Sequence, residues 1–350
     1  MSSGHETFMR LALAEGLKNR GATAENPSVG CVIVKDGKIL ARAVTAVGGR
    51  PHAESQALNA AGAGAEGATA YVTLEPCAHE GNTPSCAKAL VHAGISQVVT
   101  ALEDPDQRTA GKGHEILCTA GVKVISGVLE SDARENLAGF LSRHERGRPF
   151  VTLKLAVSAD GMIAAAPGKQ TEITGEAARD FVHHMRAEAD AIMIGAETAR
   201  TDDPSLTCRI AGLEDRSPVR VVVTSEPQEL QHLSMLKTAH EVPALLLSSR
   251  EGANIIACAA REDGKVDLND GLGVLAGRGI SQLMVEGGGE LARELLKADL
   301  VDEIALIRAP VEFGKGGVAA PLDAIDEKKF ALKATESLGA DTLTLYVRAA

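Results

Sequence analysis

The 350-residue chain is long enough for two domains of ordinary size, and its 47 acidic against 36 basic residues give a formal charge of −11. That acidity excludes a nucleic-acid or anionic-membrane partner held by general basic charge, although single arginines still suffice to grip one small phosphate. With no Trp, two Tyr and six Phe, the cores are built from Ala, Val, Leu and Ile, and stacking platforms for single strands are nearly absent.

No apolar stretch approaches the length of a membrane span. The polar start, Met1-Ser2-Ser3-Gly4-His5-Glu6, has no apolar core followed by a cleavage site, so no signal peptide is expected. Six irregularly spaced cysteines read as reduced cytoplasmic thiols, two of them committed to metal.

In chain order, helical spacing of apolar residues predicts a helix over 6–20. A buried strand at 29–34, a turn at 35–38 and a partner strand at 39–44 follow as a hairpin. Residues 52–61 form a helix with Pro51 at its first turn, 70–74 a strand, 84–93 a helix and 97–102 a strand. This alternation gives an α/β layer structure to about residue 145. The run Arg143 to Pro149 is charged and proline-terminated, and the boundary is placed there, between domains 1–145 and 146–350. The pattern then restarts, with strands at 151–157, 191–194, 219–223, 244–247, 267–268, 282–285, 303–308 and 341–347, and helices at 176–187 and 290–297.

Two short runs carry the first chemistry: Pro51-His52-Ala53-Glu54, and Glu75-Pro76-Cys77 with Cys86 nine positions on. One imidazole and two thiolates hold a zinc ion and leave its fourth tetrahedral position open for water, as a catalytic site requires. Glu54 is then placed to carry protons without binding the metal. Taken singly, His52 reads as an ordinary histidine, Cys77 or Cys86 as a buried apolar thiol, and Glu54 as a solvated helix residue. The zinc reading rests on the set. Cys31, Cys118, Cys208 and Cys258 have no such companions and read as packing residues.

The second half offers Gly287-Gly288-Gly289 between a strand and a helix. Small residues there let backbone N–H groups approach a pyrophosphate, although the run alone is more often a plain turn and is not the Rossmann fingerprint. Arg186 and Arg209 are candidate phosphate clamps. Asp202-Asp203 reads either as a turn before Pro204 or as a carboxylate in the site.

Asn26-Pro27-Ser28-Val29-Gly30, His52-Ala53-Glu54 and the segment from Leu74 to Cys86 resemble the deaminase half of the bifunctional riboflavin biosynthesis family. Nucleoside and tRNA deaminases usually have only two residues between the cysteines. The runs Lys154 to Gly161, Ile173-Thr174-Gly175, Gly195 to Thr198, Thr201 to Arg209 and Val285 to Leu291 resemble the reductase half, in the family's domain order.

The resemblance implies an α/β chain with an N-terminal cytidine-deaminase-like three-layer α/β/α domain and a C-terminal dihydrofolate-reductase-like domain. It implies Zn2+ and NADPH as cofactors and small phosphorylated pyrimidines as substrates, with no nucleic-acid or membrane partner and a homodimer through the reductase halves. His52, Cys77 and Cys86 would bind zinc, Glu54 would be catalytic, and Asn26, His79 and Asp104 would seat the pyrimidine. Lys154, Gln170, Arg186, Leu206, Arg209 and Glu286 would face the reductase substrate. Ala156, Glu172, Thr198, Asp202, Gly288 and Gly289 would face NADPH.

The chain departs from the family at Thr45, Asn82, Asp106-Gln107, Glu172 and Thr224, where His, a basic residue, Asn-Pro, Trp and Asp are usual. Arg108 or Lys112 is the expected replacement for a phosphate contact. Two rival readings are a nucleoside or tRNA deaminase with an unrelated second domain, and a protein that keeps only one activity or none.

Overall fold

The computed structural model describes residues 2–80 and 85–349. Two compact units, residues 1–146 and 147–350, meet at the Arg146–Gly147 bond. No helix is long and apolar enough to cross a membrane, among the described residues.

The first unit contains helices α1 (Ser2–Leu17), α2 (Ala53–Ala61), α3 (Cys86–His92), α4 (Lys112–Thr119), α5 (Glu130–Asn136) and α6 (Ala138–Arg146). Its strands are β1 (Gly30–Lys35), β2 (Lys38–Val44), β3 (Thr69–Val72), β4 (Gln97–Thr100) and β5 (Lys123–Ile125), in sheet order β2-β1-β3-β4-β5. The β1–β2 hairpin closes through Asp36 and Gly37, both at positive φ, as a two-residue hairpin turn requires. Consecutive β1 residues from Gly30 to Val34 are all buried, so both faces of the sheet are covered. Helix α1 packs with α5, while α2, α3 and α4 form the other contiguous set, which makes three layers. From β3 onward the strands run parallel, so their carboxyl ends open at one edge of the sheet.

The second unit is built on a nine-stranded sheet. Its strands are β6 (Phe150–Val157), β8 (Ala191–Gly195), β9 (Val219–Val223), β10 (Ala244–Ser248), β11 (Ile255–Ala257), β12 (Gln282–Glu286), β13 (Glu303–Arg308), β15 (Phe330–Leu338) and β16 (Asp341–Arg348). A two-stranded ribbon pairs β7 (Met162–Ala164) with β14 (Val318–Ala319). The helices are α7 (Glu176–Glu188), α8 (Ala196–Asp202), α9 (Ser234–Lys237), α10 (Leu268–Gly277) and α11 (Gly289–Lys297).

The order is β11-β10-β9-β8-β12-β6-β13-β16-β15, parallel as far as β13 and antiparallel beyond it. Strand β8 shows why both faces are dry. Ala191 and Met193 enter one apolar cluster, and Ile192 and Ile194 enter another. Brought together at the carboxyl ends of β6, β8, β9 and β12 is one cavity of about 990 Å³, the place where parallel α/β sheets bind ligands.

Three local expectations change, and one long strand is new. Residues 267–268 are not a strand: Asp267 caps α10, its carboxylate accepting from the Asn269 and Asp270 amides. A short apolar pair beside Asp fits a strand end and a helix start equally well, and the capping bonds decide it. The charged run from Arg143 is no linker at its start, since α6 continues to Arg146 and the basic side chains fill its last turn. Strand β15 escapes pattern reading because most of its residues are exposed. Expected to begin at residue 6, the first helix starts at Ser2.

Asp302, almost wholly buried, fastens the start of the second unit. It accepts two bonds from Arg148, at 2.6 and 2.8 Å, and one from the Val151 amide at 2.8 Å. Removing one member of a buried pair strands the other charge. Asp302→Ala is therefore expected to cost about 3 kcal/mol, seen as a lower urea midpoint by circular dichroism.

Candidate active sites

His52 caps the N-terminus of α2 in extended conformation, which leaves its ring clear of the helix and puts Glu54, buried, in the first turn. The preceding turn presses on Asn26: a Cβ at Gly49, whose φ is +86°, would come within 2.3 Å of the Asn26 side-chain nitrogen. Cys77 follows β3 after a short loop. Cys86 is the first residue of α3, behind Ser85, whose hydroxyl accepts from the Lys88 amide.

His52 Nδ1 lies 3.7 Å from Cys77 Sγ and 3.4 Å from Cys86 Sγ, and all three atoms fall within 4.8 Å of one another. Tetrahedral zinc with ordinary Zn–S and Zn–N bonds needs N···S edges of about 3.5 Å. The set fits the ion.

The thiols are prepared as ligands. Hydrogen bonds from the Cys86 thiol, from His52 and from the Cys86 amide at 3.3 Å pull the Cys77 thiol down to about 4, while the same closeness pushes Cys86 up. Burial, with the Cys77 thiolate beside it, pushes Glu54 up to about 6.

Around this centre is a pocket of about 200 Å³ that also takes in Asn26, His79 and Asp104. The His79 ring is 3.5 Å from the Thr109 hydroxyl. Burial pushes Asp104 up to about 7.

Glu75, almost wholly buried, holds this arrangement. One of its oxygens accepts from the Asp104 amide at 3.2 Å and the Gly111 amide at 3.0 Å, and the other from the His114 amide at 3.0 Å. It thus ties the Cys77 loop to the loop bearing Asp104 and to the first turn of α4. Thr45 turns inward, where its hydroxyl accepts from the Val29 amide at 3.0 Å. Asp106 binds Arg108, which holds its carboxyl down at about 2. Asn82, with Gly81, Thr83 and Pro84, lies outside the described residues.

In the second unit, Lys154 on β6 and Glu286 on β12 are register partners. Glu286 receives Arg186 Nε at 2.6 Å and Nη2 at 3.0 Å, with the Lys154 ammonium at 3.8 Å. Burial alone would raise Glu286, but Arg186 and Lys154 hold it below the usual carboxylate range. Burial pushes Lys154 down against the pull of Glu286. Arg186 also donates to the Thr207 carbonyl at 3.0 Å, which fixes the loop before Cys208.

Gln170, Leu206, Ala156, Glu172, Thr198, Asp202, Gly288 and Gly289 line the same cavity. Arg209 does not: it is exposed, donating to the Ser205 hydroxyl at 2.9 Å. At Gly288, with φ +72°, a Cβ would sit 3.0 Å from Thr198 Oγ1. That close approach lets the backbone before α11 face the cavity.

Several lining residues escape sequence reading. Arg50, Phe140, Arg143 and His144 reach the first pocket, and Ser225, Arg261 and Lys265 the second. Arg50 carried a usable signal, lying two residues before His52. The others arrive from distant segments without a motif.

These two sites define a class: an enzyme with a zinc deaminase unit followed by a reductase unit. The family model of the cytidine and deoxycytidylate deaminase zinc-binding region matches residues 2–102, and that of the RibD C-terminal domain matches residues 149–344. Riboflavin biosynthesis protein RibD of Aquifex aeolicus is 38% identical, over 98% of this chain and 98% of its own length. RibD of Haemophilus influenzae is 40% identical over 89% of this chain and 88% of its own. The chain belongs to the RibD family.

Among solved structures, Acinetobacter baumannii RibD superposes with a TM-score of 0.91 at 32% identity over the whole of both chains. A diaminohydroxyphosphoribosylaminopyrimidine deaminase/5-amino-6-(5-phosphoribosylamino)uracil reductase from Thermotoga maritima gives 0.87 at 32% identity over 99% of each. The first unit is accordingly cytidine-deaminase-like and the second dihydrofolate-reductase-like.

The raised Asp104 carboxyl makes a signed prediction for the metal-free chain. A carboxyl held at about 7 when folded, but near 4 when unfolded, favours folding below pH 4, and this contribution is lost as pH rises through 7. Urea midpoints at pH 5 and 7.5 should therefore differ less in Asp104→Asn than in the parent. For Glu75→Gln, whose amide turns a donor toward amide donors, a loss of about 2 kcal/mol is expected by the same measurement.

Proposed function

We propose that the chain catalyses two successive steps of riboflavin biosynthesis. The first unit hydrolytically deaminates 2,5-diamino-6-(5-phosphoribosylamino)pyrimidin-4(3H)-one. The second reduces the ribosyl group of the resulting 5-amino-6-(5-phosphoribosylamino)uracil to ribityl with NADPH. Family membership over both units carries the reading, and the His52, Cys77 and Cys86 geometry supports its metal chemistry.

These three side chains would hold the zinc, which when bound would supply a water acidified to near neutrality. Glu54, buried and titrating near 6, takes a proton from the attacking water and passes it to the ring nitrogen. It then takes the remaining proton, from the hydroxyl on the attacked carbon, and gives it to the amino group, which leaves as ammonia while the carbonyl forms. Asn26, His79 and Asp104 line the pocket where the pyrimidine is seated.

In the second unit NADPH, when bound, would supply the hydride that reduces C1 of the ribosyl group, the ring C1–O bond opening and its oxygen taking a proton from solvent. Lys154, Arg186 and Glu286, with Gln170 and Leu206, hold the substrate at the strand ends. Ala156, Glu172, Thr198, Asp202, Gly288 and Gly289 line the cavity and would hold the cofactor, with the amides at the start of α11 suited to its pyrophosphate. The protein's part is orientation and charge, since the cofactor carries the redox chemistry. Arg209 lies outside the cavity lining and is assigned no direct contact.

The six free thiols suit a reducing cytoplasm. The long, exposed edge strand β15, with Leu332 63% exposed, suits a homodimer through the second unit, which sedimentation would detect.

A coupled assay of ammonia release and NADPH oxidation tests the reading. Glu54→Ala should lower ammonia release by about 10²–10⁴-fold, retain stoichiometric zinc, and still oxidise NADPH when given the deaminated intermediate. Wild-type ammonia release by Glu54→Ala overturns the mechanism. Lys154→Ala should show the reverse split.

A further inference from the structure

The deaminase substrate of the reading above bears a phosphate, and the first pocket is lined by several basic side chains. We infer that Arg50 and Arg143 form the group that reads this phosphate, a proposal that rests on the deaminase reading above.

The deep end of the first pocket is set by Glu54 and Asp104, both buried. A ring attacked beside Glu54 must direct its phosphoribosyl arm outward, and the arginines lining the pocket lie there: Arg50 and Arg108 are exposed, and Arg143 is half-buried.

Arg108 is already engaged. Its Nε donates to both Asp106 oxygens, at 3.1 and 2.8 Å, and its own amide to one of them at 2.9 Å. A phosphate there would meet the Asp106 carboxylate as well. Lys112 donates to the Gln107 carbonyl at 2.7 Å and does not line the pocket. Neither expected replacement is therefore suited.

Arg50 makes no hydrogen bond or ion pair among the described residues, although it sits two residues before His52. The Arg143 Nη1 donates to the Glu25 carbonyl at 3.0 Å, which holds that guanidinium at the mouth. Arg50 arrives from the segment before α2 and Arg143 from α6. Two guanidinium groups from separate elements offer paired donors to phosphate oxygens.

The test compares the phosphorylated deaminase substrate with its dephosphorylated form, by ammonia release and with zinc content measured throughout. Arg50→Ala should raise KM for the phosphorylated form about tenfold, and Arg50→Ala/Arg143→Ala about a hundredfold, with kcat within about threefold. The preference for the phosphorylated form should fall by the same factors, Arg108→Ala should change it less than about twofold, and NADPH oxidation should be unaffected. Arg50→Lys/Arg143→Lys keeps both charges and should keep most of the preference, even where the alanine pair folds poorly. An unchanged preference in Arg50→Ala, or a loss confined to Arg108→Ala, overturns the assignment. A wild-type enzyme that releases no ammonia from either form overturns the deaminase reading itself, and this pair with it.

Discussion

Glu75 and Glu286 stand in the two units as buried carboxylates whose oxygens are matched by donors from elsewhere in the chain. Glu75 takes three main-chain amides from the segments that follow β4. Glu286 takes the Arg186 guanidinium at two points, with Lys154 close by. A buried charge of this kind is tolerable only when paired, and once paired it holds its partners within a narrow range of positions. The difference lies in the partners. Amides fix a loop shape in the first unit, and charged side chains leave a polar floor in the second.

The metal centre makes the same point about local order. His52 and Cys86 sit at helix starts and Cys77 in the loop between a strand and a helix, so no ligand depends on a long flexible side chain. Glu54 shares the first turn of α2 with the residue after His52, and the helix therefore fixes the distance between proton carrier and metal.

The zinc set was legible because its ligands and Glu54 lie in two short motifs, and the positions of most buried strands were legible because they read as apolar runs, although their order in the sheet was not. Strand β15 was hidden by its exposure, and Asp267 by the ambiguity between capping and strand ends. For the sites, Lys154 and Glu286 are 132 positions apart in sequence, and only the β6–β12 register makes them neighbours. Arg50 and Arg143 escaped for the same reason, since nothing in either segment refers to the other. The replacement of phosphate contacts through Arg108 and Lys112 followed from sequence proximity, whereas the Asp106 carboxylate engages the first cation and the Gln107 main-chain carbonyl the second.

The strand order of the second unit also bears on how it is made. Strand β6 is the first to emerge, yet its two sheet neighbours, β12 and β13, are synthesised more than a hundred residues later. In the first unit, β1 meets β2 across a two-residue turn. A chain lengthening from its N-terminus can therefore close the deaminase sheet while the reductase sheet still lacks its centre. Until β12 arrives, the backbone groups of β6 and β8 remain unpaired along the line where the reductase pocket will form, making this the segment most in need of protection during synthesis.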